Sequence, residues 1–366
     1  MIELVQSLMI GVAVVGIPLS LFFWILCFDR MQKRQPLIPW SPRRRVPWTI
    51  IDLMVILLIG IVTVSAMNGM VANTFGFALD NVKLENLQPN QQMALLIATS
   101  CGSMAVLMLS LAFVRFRSGA SFADLGLSPV QIKQDLLLGL TAFIMLVVPM
   151  LAIQLLATYL IQTEERHPFI DVILKTPDVR FLIIIAFAAI VAAPLAEEFL
   201  FRVILLGWME RVIANLTAEP HALESVPTDA DQRATSPDQF NVAETNEEAV
   251  SEAAARQQEI AKNPFSPPAL GEDGSEQLDP ACGAQAHEIE PKIPLWWFPI
   301  LVSGVLFGLA HLGQGPAPIA LVFLGCGLGY VYHRTHRVLP CITIHFLVNL
   351  LAIAQLAVYI AQPVAP

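Results

Sequence analysis

Apolar residues run through this chain in long blocks, and the breaks between blocks are basic, polar or rich in turn formers. Eight blocks are long enough, or nearly so, to cross a hydrocarbon core about 30 Å thick, which takes around 20 helical residues. They extend approximately from Leu4 to Phe28, Trp48 to Val71, Met93 to Val114, Asp135 to Ile161, Arg180 to Ile213, Trp296 to Leu312, Pro316 to His333 and Pro340 to Ile360. The sixth and seventh are short, and Gly313 to Pro316 between them reads as a tight turn. The pattern predicts an all-α polytopic membrane protein of about eight transmembrane helices.

Composition agrees. Of 366 residues, 55% are hydrophobic and 14% charged, against about 25% charged in an ordinary soluble domain. The formal net charge of −9 is misleading, because residues 215–291 hold 16 acidic and 3 basic residues while the remainder holds 14 acidic and 18 basic. A mildly basic membrane body therefore carries one acidic insert. The insert is rich in Glu, Gln, Ala, Pro and Ser, a composition that cannot bury enough apolar surface to fold, and disorder is expected there. Four regions follow: 1–134 with helices 1–3 and an interfacial loop, 135–214 with helices 4–5, the insert 215–291, and 292–366 with helices 6–8.

The loop after the first block carries Arg30, Lys33, Arg34, Arg43, Arg44 and Arg45, which places it on the cytoplasmic side and the N-terminus outside. Alternation then puts Arg115, Arg117, Lys133, Arg334 and Arg337 inside as well, together with the acidic insert. The expected location is the inner cell membrane. Ser118 to Gln134 is expected to lie along the interface, with Ser128 capping a helix that begins at Pro129. Residues 163–179 read as an amphipathic lip on the outer face. Five scattered cysteines without a CxxC pair indicate neither a disulfide framework nor a thiolate metal site.

Against this background the stretch Ala193 to Arg211, APLAEEFLFRVILLGWMER, is anomalous. Each charge buried in hydrocarbon costs roughly 2.5 to 3.5 kcal/mol on insertion scales, so Glu197, Glu198 and Arg202 need a reason to be there. Glu198 and Arg202 are four apart and can pair on one helical face. Glu197 points about 100° away, free for chemistry. Two further polar clusters follow in apolar helices: FGLAH, with Phe307 one turn before His311, and HFLVN, with His345 one turn before Asn349.

A carboxylate, two imidazoles and an amide suit water-dependent acyl chemistry. Glu197 is the expected base, with His311 as its partner. His345 and Asn349 are expected to donate to a developing oxyanion. Glu198 and Arg202 would brace the site, and Phe307 would wall it from lipid. No cofactor is expected. A Zn²⁺ ion held by Glu197, His311 and His345 is the mechanistic alternative, although no HExxH helix is present.

The three clusters resemble, in order, the motifs EExxxR, FxxxH and HxxxN/D of the CPBP family of intramembrane proteases, also called the CAAX prenyl protease type II or Abi family. The resemblance covers about Arg180 to Ala361, omitting the insert. It implies an eight-helix membrane fold, a catalytic glutamate at Glu197, and a site completed by His311, His345 and Asn349. Val203 stands where the family commonly has glycine, and the 77-residue insert replaces a short connection. The implied partners are membrane lipid and a protein or peptide substrate, lipidated or membrane-associated, with no nucleic acid. The reading from another class is a proton-coupled transporter, or a non-catalytic scaffold or immunity protein, using the same buried polar residues. Depth poses a difficulty. Glu197 lies about 24 Å along its helix from Ile213 at 1.5 Å per residue, whereas His345 follows Pro340 by only five residues.

Overall fold

The computed structural model describes residues 2–43, 45–79, 86–162, 178–217 and 295–361. Within these, all regular structure is helical. The helices are α1 Ile2–Gln32, α2 Ile50–Phe75, α3 Pro89–Ser118, α4 Ile132–Ile161 preceded by a 3₁₀ turn Pro129–Gln131, the composite α5 (residues 179–217), α6 Trp297–Leu309, α7 Ala317–Thr335 and α8 Val338–Ala361. Each expected block has become one helix. Six helices, α1 to α5 and α8, are long and apolar enough to cross a membrane, whereas α6 spans only 13 residues. The acidic insert lies, beyond Thr217, outside the described residues, as do 163–177 of the expected outer lip.

Local chemistry explains the helix ends. Gly76 and Gly119 close α2 and α3 in the left-handed conformation (φ 67° for both), where a residue without Cβ is unstrained. The Thr49 and Asp52 side chains form a capping box at the start of α2. Asp178 accepts a hydrogen bond from the Arg180 backbone N–H and caps α5. The turn after α6 contains Gly313 (φ 88°) and Gly315 (φ 62°), as expected for a tight reversal.

The core lies between α5, α6, α7 and α8, where Leu206, Phe307, Leu324, Leu328, Tyr332 and Ile344 are fully buried. Large apolar residues on the outer helices, such as Ile61, Met108 and Leu155, face outward and are exposed, which is the arrangement that lipid rather than water selects. Helices α6 and α7 approach closely because Gly304 meets Gly325. A Cβ on Gly325 would stand 2.9 Å from the Gly304 Cα, and one on Gly308 would stand 2.7 Å from the Pro318 carbonyl. Gly304 and Gly308 on α6, and Gly325 and Gly329 on α7, each pair four residues apart, are thus a packing device.

The basic loops gather at one end. Arg334 donates to the Ile38 carbonyl, Arg211 donates to the carbonyls of Val46, Pro47 and Trp48, and Arg43 pairs with Glu210 at 2.8 Å. Glu210 also meets His333 (2.7 Å), and Arg43 donates to the Tyr332 hydroxyl. Arg117 pairs with Asp52 between α2 and α3. The segment before α4, expected along the interface, is anchored to the bundle. Ala120 and Leu125 are fully buried, and the Gly126 carbonyl accepts from the Val338 N–H. Arg337 clamps it by holding both oxygens of Asp135 and the Ser128 carbonyl. Pro129 does begin the 3₁₀ turn, but the Ser128 side chain makes no capping bond.

Candidate active site

Helix α5 is not a uniform α-helix. Val179–Phe187 is followed by a π-helical turn at Ala188–Ala192, then α-helical Ala193–Glu198, a second π stretch at Phe199–Leu206, and α-helical Gly207–Thr217. The two glutamates sit on the short α segment between the π stretches, and π-bulges are frequent at functional sites. Pro194 accounts for the first irregularity, because its ring removes a backbone donor inside the helix. The bond just before it, from the Ala193 N–H to the Ala188 carbonyl, already reaches back five residues.

Glu198 and Arg202 are both fully buried and form an ion pair at 2.9 Å. Arg202 also donates to the Ser303 hydroxyl on α6 at 3.0 Å, and Ser303 in turn donates to the Phe201 carbonyl. The guanidinium lies 4.9 Å from the Phe307 ring centroid, within cation–π range. On the other side, Glu198 Oε1 accepts from His345 Nδ1 at 2.9 Å. One carboxylate thus joins α5 to α8, and its arginine joins α5 to α6.

Glu197 is different. Its side chain is 27% exposed, yet its Oε2 is buried and makes no hydrogen bond among the described residues. His311 Nε2 and His345 Nε2 each lie 3.8 Å from that same oxygen, too far for a direct hydrogen bond. Both rings are held from behind. His311 Nδ1 is 2.8 Å from the Phe307 carbonyl, which can only accept, so Nδ1 carries the proton and the neutral ring presents an Nε2 lone pair. His345 is oriented likewise by the carboxylate of Glu198. Two imidazole edges and one carboxylate oxygen converge on a common point.

Phe307 is the wall. Fully buried, it packs edge-on against Phe201 (5.4 Å) and His345 (5.5 Å) and lies 5.0 Å from the His311 ring. Asn349 follows His345 by one turn but is turned to α5, donating to the Ala189 carbonyl at 2.7 Å. The structure therefore brings together Glu197, Glu198, Arg202, Phe307, His311 and His345, with Asn349 bound to the adjoining π turn. Among the described residues, no three His, Cys, Asp or Glu side chains are disposed to hold one metal ion. Sequence reasoning missed Ser303 and Pro194. A serine within an apolar helix and a proline three residues before Glu197 were the available signals. The depth difficulty resolves through the short α6, whose end places His311 in the turn, and through α8, which reaches Glu198 within seven residues of its start.

The bundle thus has an apolar exterior that suits lipid and a core that holds a glutamate facing two braced histidines. Residues 283–351 match the family model described as type II CAAX prenyl endopeptidase Rce1-like, the family that the three motifs resemble. The match spans the FxxxH and HxxxN clusters. No curated protein and no solved structure matches this chain. The chain is an integral membrane protein, and its residues 283–351 are similar to that protease family.

Proposed function

We propose that this protein is an intramembrane endopeptidase in which Glu197 activates water to hydrolyse a peptide bond near the membrane. One observation carries the reading: His311 Nε2 and His345 Nε2 stand 3.8 Å from the same Glu197 oxygen while their Nδ1 atoms are tied elsewhere. At that separation the three groups do not bond one another directly and are free to hold one water placed beside them. Glu197 takes a proton from this water as it attacks the scissile carbonyl, and His311 helps to hold the nucleophile. His345, its Nδ1 braced by Glu198, presents its other edge to the developing oxyanion when protonated. Glu197 then returns the proton to the leaving amine. Phe307 and the neighbouring apolar side chains keep the site dry, where fixed dipoles act most strongly. Asn349 completes the assembly.

The family match supports a protein or peptide substrate, and a prenylated or otherwise membrane-associated one fits a site embedded among lipid-facing helices. The basic end of the bundle supports a cytoplasmic assignment for the loops after α1, α3 and α7 and hence for the insert, in the inner membrane. We propose that the carboxylate acts without a metal, Zn²⁺ on Glu197, His311 and His345 being the rival. The test is hydrolysis of a quenched fluorescent prenylated CAAX peptide by detergent-purified protein. Wild type should cleave it, while Glu197→Gln and His311→Ala should not. Equal rates in all three would end the assignment and leave a scaffold or transporter role.

A further inference from the structure

The Asn349–Ala189 contact follows from a missing atom. In the π turn at Ala188–Ala192, the Ala193 N–H bonds to the Ala188 carbonyl. The next donor in that register is residue 194 and its acceptor is Ala189, but Pro194 has no N–H. An unpaired carbonyl in lipid costs several kcal/mol. Asn349 Nδ2 supplies the bond from α8, at 2.7 Å. The same device recurs in α4, where Pro149 cannot donate to the Met145 carbonyl. There Trp24 Nε1, on α1, fills the vacancy at 2.9 Å, with Ser20 Oγ at 3.4 Å. Twice in this chain, then, a proline inside a helix frees a carbonyl and a side chain from another helix takes it.

We infer that Asn349 is a positioning residue: its amide substitutes for the backbone donor that Pro194 lacks and so fixes the turn that aims Glu197 at the two imidazoles. Glu197 lies three residues beyond Pro194, less than one turn away. His345 lies one turn before Asn349 on α8. The single bond therefore registers the carboxylate of α5 against the imidazole of α8, the two groups that must keep their 3.8 Å spacing. This role differs from direct donation to an oxyanion, because it commits one of the two amide N–H groups to backbone. The contact stands by itself; its consequence for catalysis rests on the hydrolytic reading above.

The two roles predict opposite outcomes in a four-protein cycle of wild type, Pro194→Ala, Asn349→Ala and the double variant. Each is assayed in detergent for its thermal unfolding midpoint and for kcat and KM on the prenylated CAAX peptide. Asn349→Ala should lower kcat about 100-fold, the effect of a misplacement near 1 Å, with little change in KM, and should lower the midpoint. In the double variant, the alanine that replaces Pro194 restores a backbone N–H. Its kcat should return to within about tenfold of wild type, and its midpoint should lie above the sum of the two single-variant shifts. A double variant as slow as Asn349→Ala, with additive midpoints, would overturn the inference and return Asn349 to the oxyanion. Should Glu197→Gln cleave like wild type, the hydrolytic reading alone fails, and the midpoints still decide whether Asn349 and Pro194 are coupled.

Discussion

The imidazole of His345 bonds Glu198 across 147 residues of sequence, at 2.9 Å, in a place where both side chains are buried. Through that bond the second glutamate of the pair orients a group that works on the first. Glu198 is committed twice over, to Arg202 and to His345, and so Glu197 is the carboxylate left with an unbonded oxygen facing the histidines.

Replacing Glu197 with glutamine keeps the shape of the side chain and removes its basicity. Loss of a positioned general base costs about 10²- to 10⁴-fold. We expect that drop in kcat on the CAAX peptide, with an unfolding midpoint close to wild type because Glu197 Oε2 makes no hydrogen bond among the described residues. His311→Ala should give a comparable loss.

Glu198 and Arg202 predict the reverse, a stability phenotype. Removing one member of a buried pair strands the other charge, at a cost of about 3 to 5 kcal/mol. Arg202→Met should therefore lower the unfolding midpoint sharply. A double change of Glu198→Gln with Arg202→Met should be less damaging than Arg202→Met alone, because no uncompensated charge remains. Midpoints measured in one detergent would show a steeper loss for the double variant if the pair were unimportant.

Glycine at 304 is a matter of space. A Cβ there would meet Cys326 Sγ at 2.5 Å and the Cys326 backbone nitrogen at 2.8 Å. Backbone cannot yield as a flexible side chain can, so Gly304→Ala should cost about 1 to 3 kcal/mol. Since His311 follows the end of α6 by two residues, cleavage should fall with it. Gly313→Ala is strained by its φ of 88° but meets no atom within 4 Å, so its effect should be milder.

At the basic end, His336 is buried against Arg43, with Glu210, Tyr332 and His333 around it and the Ser41 carbonyl on Nδ1. Burial, and then the Arg43 charge, hold its pKa below the ordinary 6.5, outweighing the hydrogen bond and charge of Glu210. A depressed histidine is protonated more readily in the unfolded chain. Its contribution is thus complete above pH 6.5 and is lost as pH falls below that value towards the folded pKa. The unfolding midpoint should decline from pH 7 to pH 5, and His336→Asn, which tolerates the left-handed backbone at φ 52°, should flatten the decline.

Metal dependence is settled by chelation. Activity that survives exhaustive treatment with 1,10-phenanthroline supports the metal-free carboxylate. Activity abolished by it and restored by Zn²⁺ would instead assign Glu197, His311 and His345 as ligands.

The helices themselves were legible in the sequence because lipid imposes a simple rule. A stretch of about 20 apolar residues must close its hydrogen bonds internally, and each of the eight blocks did so as one helix. The end of the bundle to which each basic loop belongs was legible for the same reason, through the charges that flank the spans. The residues of the site could also be named in advance, since Glu197, Glu198, Arg202, His311, His345 and Asn349 are polar where polarity is costly. What the chain order could not contain was their division of labour. Whether Glu197 or Glu198 would be tied down, which nitrogen of His345 would face inward, and that the Asn349 amide would turn to a carbonyl vacated by Pro194 all depend on atoms from other helices. Those choices arise from contacts made across more than 100 residues of sequence, and only the packed bundle brings the partners within bonding distance.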